Sequence, residues 1–366
     1  MINARPNAER LLDTFVSLVR IDSPSGEEAA VRAELQPRLH ALGVETRVDP
    51  TGNLLGRVPG QGEPLLLSAH MDTVPGRGIQ PIVKDGVVYS DGTTILGADD
   101  KSGIAVLLEV LAALQEIEAD ERPALEIALS VGEEVGLLGA KGLDVDGFQA
   151  TQALVLDMGG PLNAIVYAAP ASDKFDAVVY GKAAHAGANP ETGINAISVA
   201  AQGIAAMSLG RIDGETTANV GMIQGGTAVN VVPDRVSLRG EARSHDVTKL
   251  DAQILSMRAA LETAVSVNKG ARLELEIERA YTSFRLDEDA PLLKRVAAAL
   301  AAMGEEPPVL QIGGGGSDAN ILNARGIAAV PISTGMEGVH TTAERIAVAD
   351  MARCAEFVLH ALDRAE

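Results

Sequence analysis

Short apolar strands that alternate with amphipathic helices constrain the fold of this 366-residue chain more than any other feature. The apolar patterns predict strands at 64–70, 86–92, 124–134 and 153–160, and helices at 8–20, 27–42 and 101–115. This alternation is typical of an α/β fold, in which a sheet lies between layers of helices. In such sheets, polar functional groups gather at the strand ends, where loops leave a rigid scaffold.

The pattern changes near residue 173 and returns near residue 284, which indicates an inserted domain. Between these points strands are predicted at 174–181, 217–223, 235–243 and 272–280, and helices at 194–208 and 246–268. Afterwards helices at 290–302 and 342–364 and a strand at 327–332 restore the earlier alternation. We therefore predict a discontinuous α/β domain over 1–172 and 284–366, interrupted by a small α+β domain over 173–283.

Composition limits the classes of partner. The formal net charge of −20 leaves no basic excess to neutralise phosphates, which argues against nucleic acid as a partner. No window is long and apolar enough to span a membrane, and the first residues lack an apolar run suited to export. The single cysteine, Cys354, excludes a disulfide framework and is expected in the core. We expect a cytoplasmic protein.

Acidic and histidine side chains recur at the predicted strand ends. They are His70, Asp72, Asp99, Asp100, Glu133, Glu134, Asp157 and His340. One such residue alone is usually a satisfied polar group or part of a solvated face, but so many at the loops of one sheet need another explanation. Gathering this much negative charge requires a bound cation.

Two neighbouring divalent ions account for this set of side chains. Ions about 3.5–4 Å apart share one carboxylate, and each also takes a neutral imidazole and a terminal carboxylate. His70 and His340 are the candidate imidazoles. Histidine and carboxylate ligands favour zinc, with cobalt or manganese as substitutes.

The ordered motifs of the chain resemble those of the two-zinc peptidase family that includes peptidase T, glutamate carboxypeptidase and aminoacylase. The motifs are, in chain order, SAHMDTV, SDGTTILGADDKSG, GEEVGLLGA, VLDMGG, GKAAHAG, GGTAVNVVPD and GGGGSDAN. They extend over nearly the whole chain, and the set looks closest to peptidase T-like proteins. The resemblance implies a zinc-peptidase catalytic domain, with a mixed sheet between helices, and an inserted ferredoxin-like domain that serves as a lid and for dimerisation.

The resemblance also implies a role for each metal-site residue. His70 and Asp157 would hold one zinc ion, Glu134 and His340 would hold the other, and Asp99 would bridge the two. A water molecule between the ions would then attack the amide bond of a small peptide.

Three further features follow from the resemblance. Glu133 would be the general base that takes a proton from this water and passes it to the leaving amine. Asp72 would orient the His70 imidazole without binding the metal itself. The peptide bond between Asp99 and Asp100 would be cis.

The remaining candidates concern the substrate. By resemblance, His185 would have a catalytic role as a donor to the oxyanion of the tetrahedral intermediate, and in dimeric members it reaches the partner's active site. Asn230 would assist at the same end of the substrate. Arg243 would bind a substrate carboxylate, with a structural salt bridge as the alternative. Ser317, near a helix start in the glycine-rich 313–320, would line the pocket.

The expected activity is metal-dependent hydrolysis of an amide bond, and a peptidase T-like aminopeptidase acting on small peptides is the favoured specificity. A carboxypeptidase or an N-acyl-amino-acid amidohydrolase would use the same metals and base, and the sequence does not decide between them. A homodimer formed through the inserted domain is expected. A non-catalytic metal-binding protein is a remote alternative, against which the retained Glu133 argues.

Overall fold

The protein, described here by a computed structural model over residues 4–363, forms two compact units. The first contains the described residues of 1–168, 285–313 and 317–366, and the second contains 169–284 and 314–316. The ends of the predicted α/β domain, 1–3 and 364–366, lie outside the described residues. Residues 169–172, 284 and 314–316, which the sequence pattern assigns to the α/β domain, group with the second unit.

The helices of the described chain are α1 (Ala8–Val19), α2 (Ala29–Ala41), α3 (Ala98–Leu114), α4 (Leu138–Gly142), α5 (Ala196–Ala206), α6 (Val247–Val267), α7 (Pro291–Ala302), α8 (Asp318–Ala324) and α9 (Val348–Leu362). Two short 3-10 helices are present at Val145–Gly147 and Pro190–Thr192. None of the helices within residues 4–363 combines the length and apolarity that a membrane span requires.

The strands are β1 (Glu45–Val48), β2 (Leu54–Val58), β3 (Gln61–His70), β4 (Ile82–Lys84), β5 (Val87–Tyr89), β6 (Pro123–Ser130), β7 (Gln152–Gly159), β8 (Ala164–Ala169), β9 (Ala171–Tyr180), β10 (Gly210–Arg211), β11 (Thr216–Gly225), β12 (Arg235–Ser244), β13 (Arg272–Tyr281), β14 (Phe284–Arg285), β15 (Val309–Ile312), β16 (Ala328–Glu337) and β17 (Arg345–Ala347).

Most predicted elements are present, with ends shifted by a few residues, but two differ in ways that matter for the site. β6 ends at Ser130, so Glu133 and Glu134 lie in the loop after the strand rather than in it. The helix predicted at 342–364 begins only at Val348, because β17 pairs with β16 and β5 just before it. Residue 364 of that predicted helix lies outside the described residues.

The first unit is built on a nine-stranded mixed sheet of order β1-β2-β6-β3-β7-β16-β17-β5-β4. The four central strands, β6, β3, β7 and β16, are mutually parallel, and the flanking strands are antiparallel. The carboxyl ends of the parallel strands therefore meet at one edge of the sheet, where binding sites of such folds form. A separate three-stranded sheet has the order β14-β8-β15.

The elements that lead to this edge are deeply buried in the core of the first unit. The run Leu65–Leu67 in β3 is buried, as a parallel strand covered on both faces requires. Helix α3 contacts β3, β7 and β16 and packs between α1 and α9, so almost all of its side chains are buried. Cys354 of α9 is fully buried, which confirms it as a core residue, and burial raises the pKa of its thiol.

The second unit has the α+β order that its sequence pattern predicts. Its antiparallel sheet has the order β10-β11-β12-β9-β13, and α5 and α6 pack against each other and against the sheet. Apolar side chains that alternate along the strands meet the helices in a core that includes Val179, Leu238 and Leu261. This unit therefore has a hydrophobic core of its own.

Candidate metal centre

The carboxyl edge of the parallel strands brings the predicted metal-site residues together. His70 is the last residue of β3, Asp157 lies in β7, Asp99 lies at the start of α3, and Glu134 and His340 follow β6 and β16. The described residues include three overlapping groups, and within each group the donor atoms lie within 4.8 Å of one another. The first group is His70, Asp99 and Asp157, the second is Asp99, Glu134 and His340, and the third is His70, Glu133 and Glu134. The sequence-distant motifs therefore form one cluster.

Asp99 is the centre of this cluster. Its Oδ1 lies 2.9 Å from Nε2 of His70, and its Oδ2 lies 3.0 Å from Nε2 of His340. Nε2 of His340 is also 2.9 Å from Oε1 of Glu134, and Nε2 of His70 is 3.8 Å from Oδ1 of Asp157. One carboxylate between two imidazoles, each with a further carboxylate, is a donor set that fits a pair of divalent ions.

The electrostatics of the cluster agree with a cation site. Burial raises the pKa of Asp157 well above its usual value, and the nearby Asp99 carboxylate adds to the rise. Burial opposes ionisation of Asp99 too, but hydrogen bonds with His340 and His70 lower its pKa overall. The Asp99 hydrogen bond raises the pKa of His340 to about 9. Carboxylates gathered in this way prefer a positive charge among them.

Asp72 connects His70 to the loop that carries the two glutamates. Nδ1 of His70 donates to the backbone carbonyl of Asp72 at 2.9 Å, which leaves Nε2 facing the metal-site carboxylates. The Asp72 carboxylate is 3.5 Å from Nδ1 and accepts hydrogen bonds from the backbone of Glu133 at 2.9 Å and of Glu134 at 3.2 Å. Ser25 Oγ donates to the same carboxylate. Asp72 therefore supports the imidazole and the glutamate loop together.

Asp100 has a different task from Asp99. The peptide bond between the two is cis, as the resemblance implies. The Asp100 side chain is fully buried and accepts hydrogen bonds from the backbone N–H of His70 and of Gly103, each at 3.1 Å. Asp100 thus attaches the start of α3 to the end of β3 and holds the segment that carries Asp99.

Glu133 is a partly buried carboxyl group beside the cluster, and its pKa is raised. Burial, reinforced by the carboxylates of Asp318 and Glu134, raises its pKa to about 8 against the opposing effect of His70. A carboxyl group whose pKa lies near neutrality can both take and return a proton. A carboxylate oxygen of Glu133 lies within 4.8 Å of donor atoms of His70 and Glu134.

Two buried carboxyl groups at the site have no role in the sequence-based prediction. Asp318, at the start of α8, accepts a hydrogen bond from Ser130 Oγ, while its Oδ1 has no hydrogen-bond partner in the described part of the chain. Glu344 accepts hydrogen bonds from the backbone around Asp99. Sequence offered little signal for either, because the partners of both lie more than 180 residues away.

The oxyanion candidates lie in the second unit. Nδ1 of His185 accepts hydrogen bonds from the backbone N–H of Gly187 and of Ala188, each at 3.1 Å. An Nδ1 that accepts hydrogen bonds leaves the ring proton on Nε2, which can act as a donor. The backbone N–H of Ala186 donates to the carbonyl of Asn230 at 3.0 Å, so the two predicted residues lie on adjacent loops.

Arg243 and Ser317 already have partners within their own units. Nε and Nη2 of Arg243 each lie 3.1 Å from the carboxylate of Glu241, and Nη1 lies 3.4 Å from the carbonyl of Gly314. This pairing corresponds to the salt bridge that was the alternative for Arg243. Ser317 is the N-cap of α8, and its Oγ accepts a hydrogen bond from Ala319 N.

Comparison with known proteins identifies the class of this protein as a peptidase, an enzyme that hydrolyses amide bonds. The chain belongs to Peptidase family M20/M25/M40, whose characteristic sequence pattern matches residues 66–364. This membership confirms the predicted family and the predicted hydrolytic chemistry.

Relatives with about 40% sequence identity align with nearly the whole chain. YqjE of Bacillus subtilis, described as an uncharacterized protein, is 41% identical over 370 residues, which cover 98% of this chain and 99% of that protein. The crystal structure of aminopeptidase PepT from Bacillus cereus has 41% identity and a TM-score of 0.86, and covers 98% of each chain. A tripeptidase from Staphylococcus aureus has 38% identity and a TM-score of 0.90, again over 98% of each chain. These structures confirm the α/β fold with a mixed sheet.

Proposed function

We propose that this protein is a two-metal aminopeptidase that removes the first residue of short peptides. The observation that carries the proposal is the convergence of two imidazoles and two further carboxylates on Asp99. The choice of an aminopeptidase is supported by the Bacillus cereus aminopeptidase and the Staphylococcus aureus tripeptidase, which match this chain over nearly its full length.

Zinc is the proposed metal, with cobalt or manganese as substitutes, because the donors are imidazoles and carboxylates. His70 and Asp157 would hold one ion, Glu134 and His340 would hold the second, and Asp99 would contact both. When bound, the two ions supply Lewis acidity that activates a water molecule and polarises the scissile carbonyl.

Glu133 would move the proton of the reaction. It would take a proton from the attacking water and deliver it to the amine of the leaving residue, since its carboxyl lies beside His70 and Glu134, two of the proposed metal ligands. Asp72 would keep this base aligned, because it accepts hydrogen bonds from the backbone of Glu133 and Glu134.

Side chains of the second unit would bind the rest of the substrate. His185 would donate from Nε2 to the developing oxyanion, with Asn230 beside it. Arg243 would bind a substrate carboxylate through the part of its guanidinium that Glu241 leaves free. Ser317 would contribute to the pocket wall through backbone groups, because its hydroxyl caps α8.

The second unit would also serve as the lid and make a homodimer in the cytoplasm. Among residues 4–363, β10 pairs with residues 217 and 218 of β11, and no strand pairs with the later part of β11 on that side. Met222 and Ile223 on that part are exposed. An open strand edge with exposed apolar side chains is suited to pairing with a second copy of the chain.

A panel of blocked peptides tests the specificity. The metal-loaded enzyme would be given a free tripeptide, its N-acetyl form, its C-terminal amide and an N-acetyl amino acid, and the products would be separated by chromatography. The proposal predicts release of the first residue from the free tripeptide and no cleavage when the amine is acetylated. Release of the last residue would identify a carboxypeptidase, and deacylation of the acetyl amino acid would identify an amidohydrolase.

A further inference from the structure

The carboxylate of Glu344 is buried in a ring of backbone donors. Its Oε2 accepts hydrogen bonds from the N–H of Leu96 at 2.7 Å and Gly97 at 2.9 Å, and its Oε1 accepts from Ala98 at 2.7 Å and Asp99 at 3.2 Å. The residue is only 1% exposed. Consecutive backbone N–H groups that point at one anion form a nest, and their hydrogen bonds to an ionised carboxylate are strong.

Glu344 also belongs to the loop that carries His340. The loop is tightly wound, with a positive φ of 64° at both Gly338 and His340, and Thr341 Oγ1 donates to the carbonyl of Gly338 at 2.6 Å. The carbonyl of Glu344 accepts a hydrogen bond from Ser90 N at 2.9 Å. The residue therefore joins the segment before Asp99 to the loop of His340, two pieces of chain that are far apart in sequence.

The side chains that these two segments present meet at the metal site. Oδ2 of Asp99 and Nε2 of His340 are 3.0 Å apart, and both belong to the donor group completed by Glu134. A change in the distance between the segments would separate these donors. Only an acceptor suits the position of the Glu344 carboxylate, since all its partners donate.

We infer that Glu344 is a positioning residue that fixes the Asp99 segment against the His340 loop and thereby sets the affinity of the site for the ion shared by Asp99, Glu134 and His340. This inference rests on the proposed two-metal function. Substituting a residue that supports a metal ligand typically costs about 10–100-fold in metal affinity. The same loss is expected for Glu344→Gln, whose amide would direct N–H groups at backbone donors.

Glu126 offers a matched control. Its carboxylate is also 1% exposed and accepts hydrogen bonds from the backbone N–H of Gln149 at 2.9 Å and Ala150 at 2.8 Å. It lies in β6 four residues before Ser130, and its partners belong to a loop that carries none of the metal donors. Glu126→Gln should therefore destabilise the fold in a similar way while leaving metal affinity unchanged.

The test is calorimetric titration of the metal-stripped full chain with Zn²⁺, combined with thermal unfolding of the metal-free forms. We expect wild type and Glu126→Gln to bind two ions, each with the same affinity in the two proteins. Glu344→Gln should bind at least one of these ions about 10–100-fold more weakly. Unchanged affinities in Glu344→Gln, or an equal loss in Glu126→Gln, would overturn the inference.

The same titration separates this inference from the function on which it rests. If the wild type does not bind two divalent ions, both the proposed function and the inference about Glu344 are wrong. If the wild type binds two ions and Glu344→Gln does so equally well, only the inference fails. Should Glu344→Gln not fold, Glu344→Asp keeps the charge on a shorter side chain and must still weaken one ion for the inference to stand.

Discussion

At the scale of single residues, the two adjacent aspartates of GADDKSG differ in the groups that their carboxylates contact. Asp99 faces both imidazoles, whereas Asp100 faces backbone N–H groups of His70 and Gly103. Asp99→Asn should therefore lose at least one of the two proposed ions. Asp100→Asn should retain metal but lose roughly 1–3 kcal/mol of stability, because one buried hydrogen bond is left unmade.

Metal content after dialysis and urea unfolding of the two variants check this asymmetry. Equal metal loss in both variants would contradict the separate tasks assigned to the two residues. Retention of both ions by Asp99→Asn would show that the Asp99 carboxylate is not needed to hold the two ions.

The second residue-scale prediction concerns the proposed base. Glu133→Gln should keep both ions, since Glu133 is not among the proposed ligands, but should lower kcat about 10²–10⁴-fold because proton transfer is lost. Glu118→Gln, at an exposed position after α3, is the control and should leave kcat unchanged. Steady-state kinetics with a tripeptide give the answer, and a near wild-type kcat for Glu133→Gln would show that another group acts as the base.

The residues of the site were predictable from sequence to different degrees. The metal-site candidates stand out because histidine and acidic side chains follow apolar strands, which local pattern can detect. Glu344 could not be found in this way, since the backbone donors that surround its carboxylate are at residues 96–99, more than 240 positions away. The engagement of Arg243 by Glu241 also became visible only in the structure.

At the scale of secondary structure elements, periodicity located most helices and strands but not every boundary. The apolar pattern of α9 predicts a helix from residue 342, yet β17 occupies Arg345–Ala347. A strand of three residues is too short to establish a period of two, so only its pairing with β16 and β5 reveals it. Boundaries set by tertiary pairing are therefore the part of the fold that sequence predicts least well.

Gly103 provides an element-scale prediction about the start of α3. A Cβ at this position would lie 2.3 Å from the carbonyl oxygen of Leu156 and 2.5 Å from Oδ1 of Asp100. Gly103→Ala should therefore destabilise the protein by about 1–3 kcal/mol, despite the higher helix propensity of alanine.

Urea unfolding measures this effect, and Gly214→Ala is its control. No heavy atom lies within 4 Å of a Cβ built at Gly214, so that variant should change stability by less than about 0.5 kcal/mol. If Gly103→Ala is as stable as wild type, then α3 and β7 do not approach each other as closely as described.

At the scale of the whole molecule, the order of the motifs predicted the family, and the family is confirmed over residues 66–364. The sequence also predicted an α/β unit interrupted by an α+β unit, because each unit has its own periodicity. It gave no indication that residues 314–316 group with the second unit, since their neighbours on both sides belong to the first. Such grouping depends on packing, which local pattern does not report.

The proposed dimer yields a prediction at the same scale. Ile223→Glu places a charge on the open edge of β11 and should convert a dimer into a monomer with an intact fold. Val309→Glu, at an equally exposed apolar position on β15 of the first unit, should leave the dimer unchanged. Sedimentation equilibrium distinguishes the two results, and a dimer that survives Ile223→Glu would place the interface elsewhere.

The most direct test of the central claim is the rate of tripeptide hydrolysis by the metal-stripped protein as Zn²⁺ is added back. We expect no turnover without metal and a rate that rises until two ions are bound per chain, because Asp99 joins two sets of donors. A metal-free protein that hydrolyses the tripeptide at the full rate would contradict it.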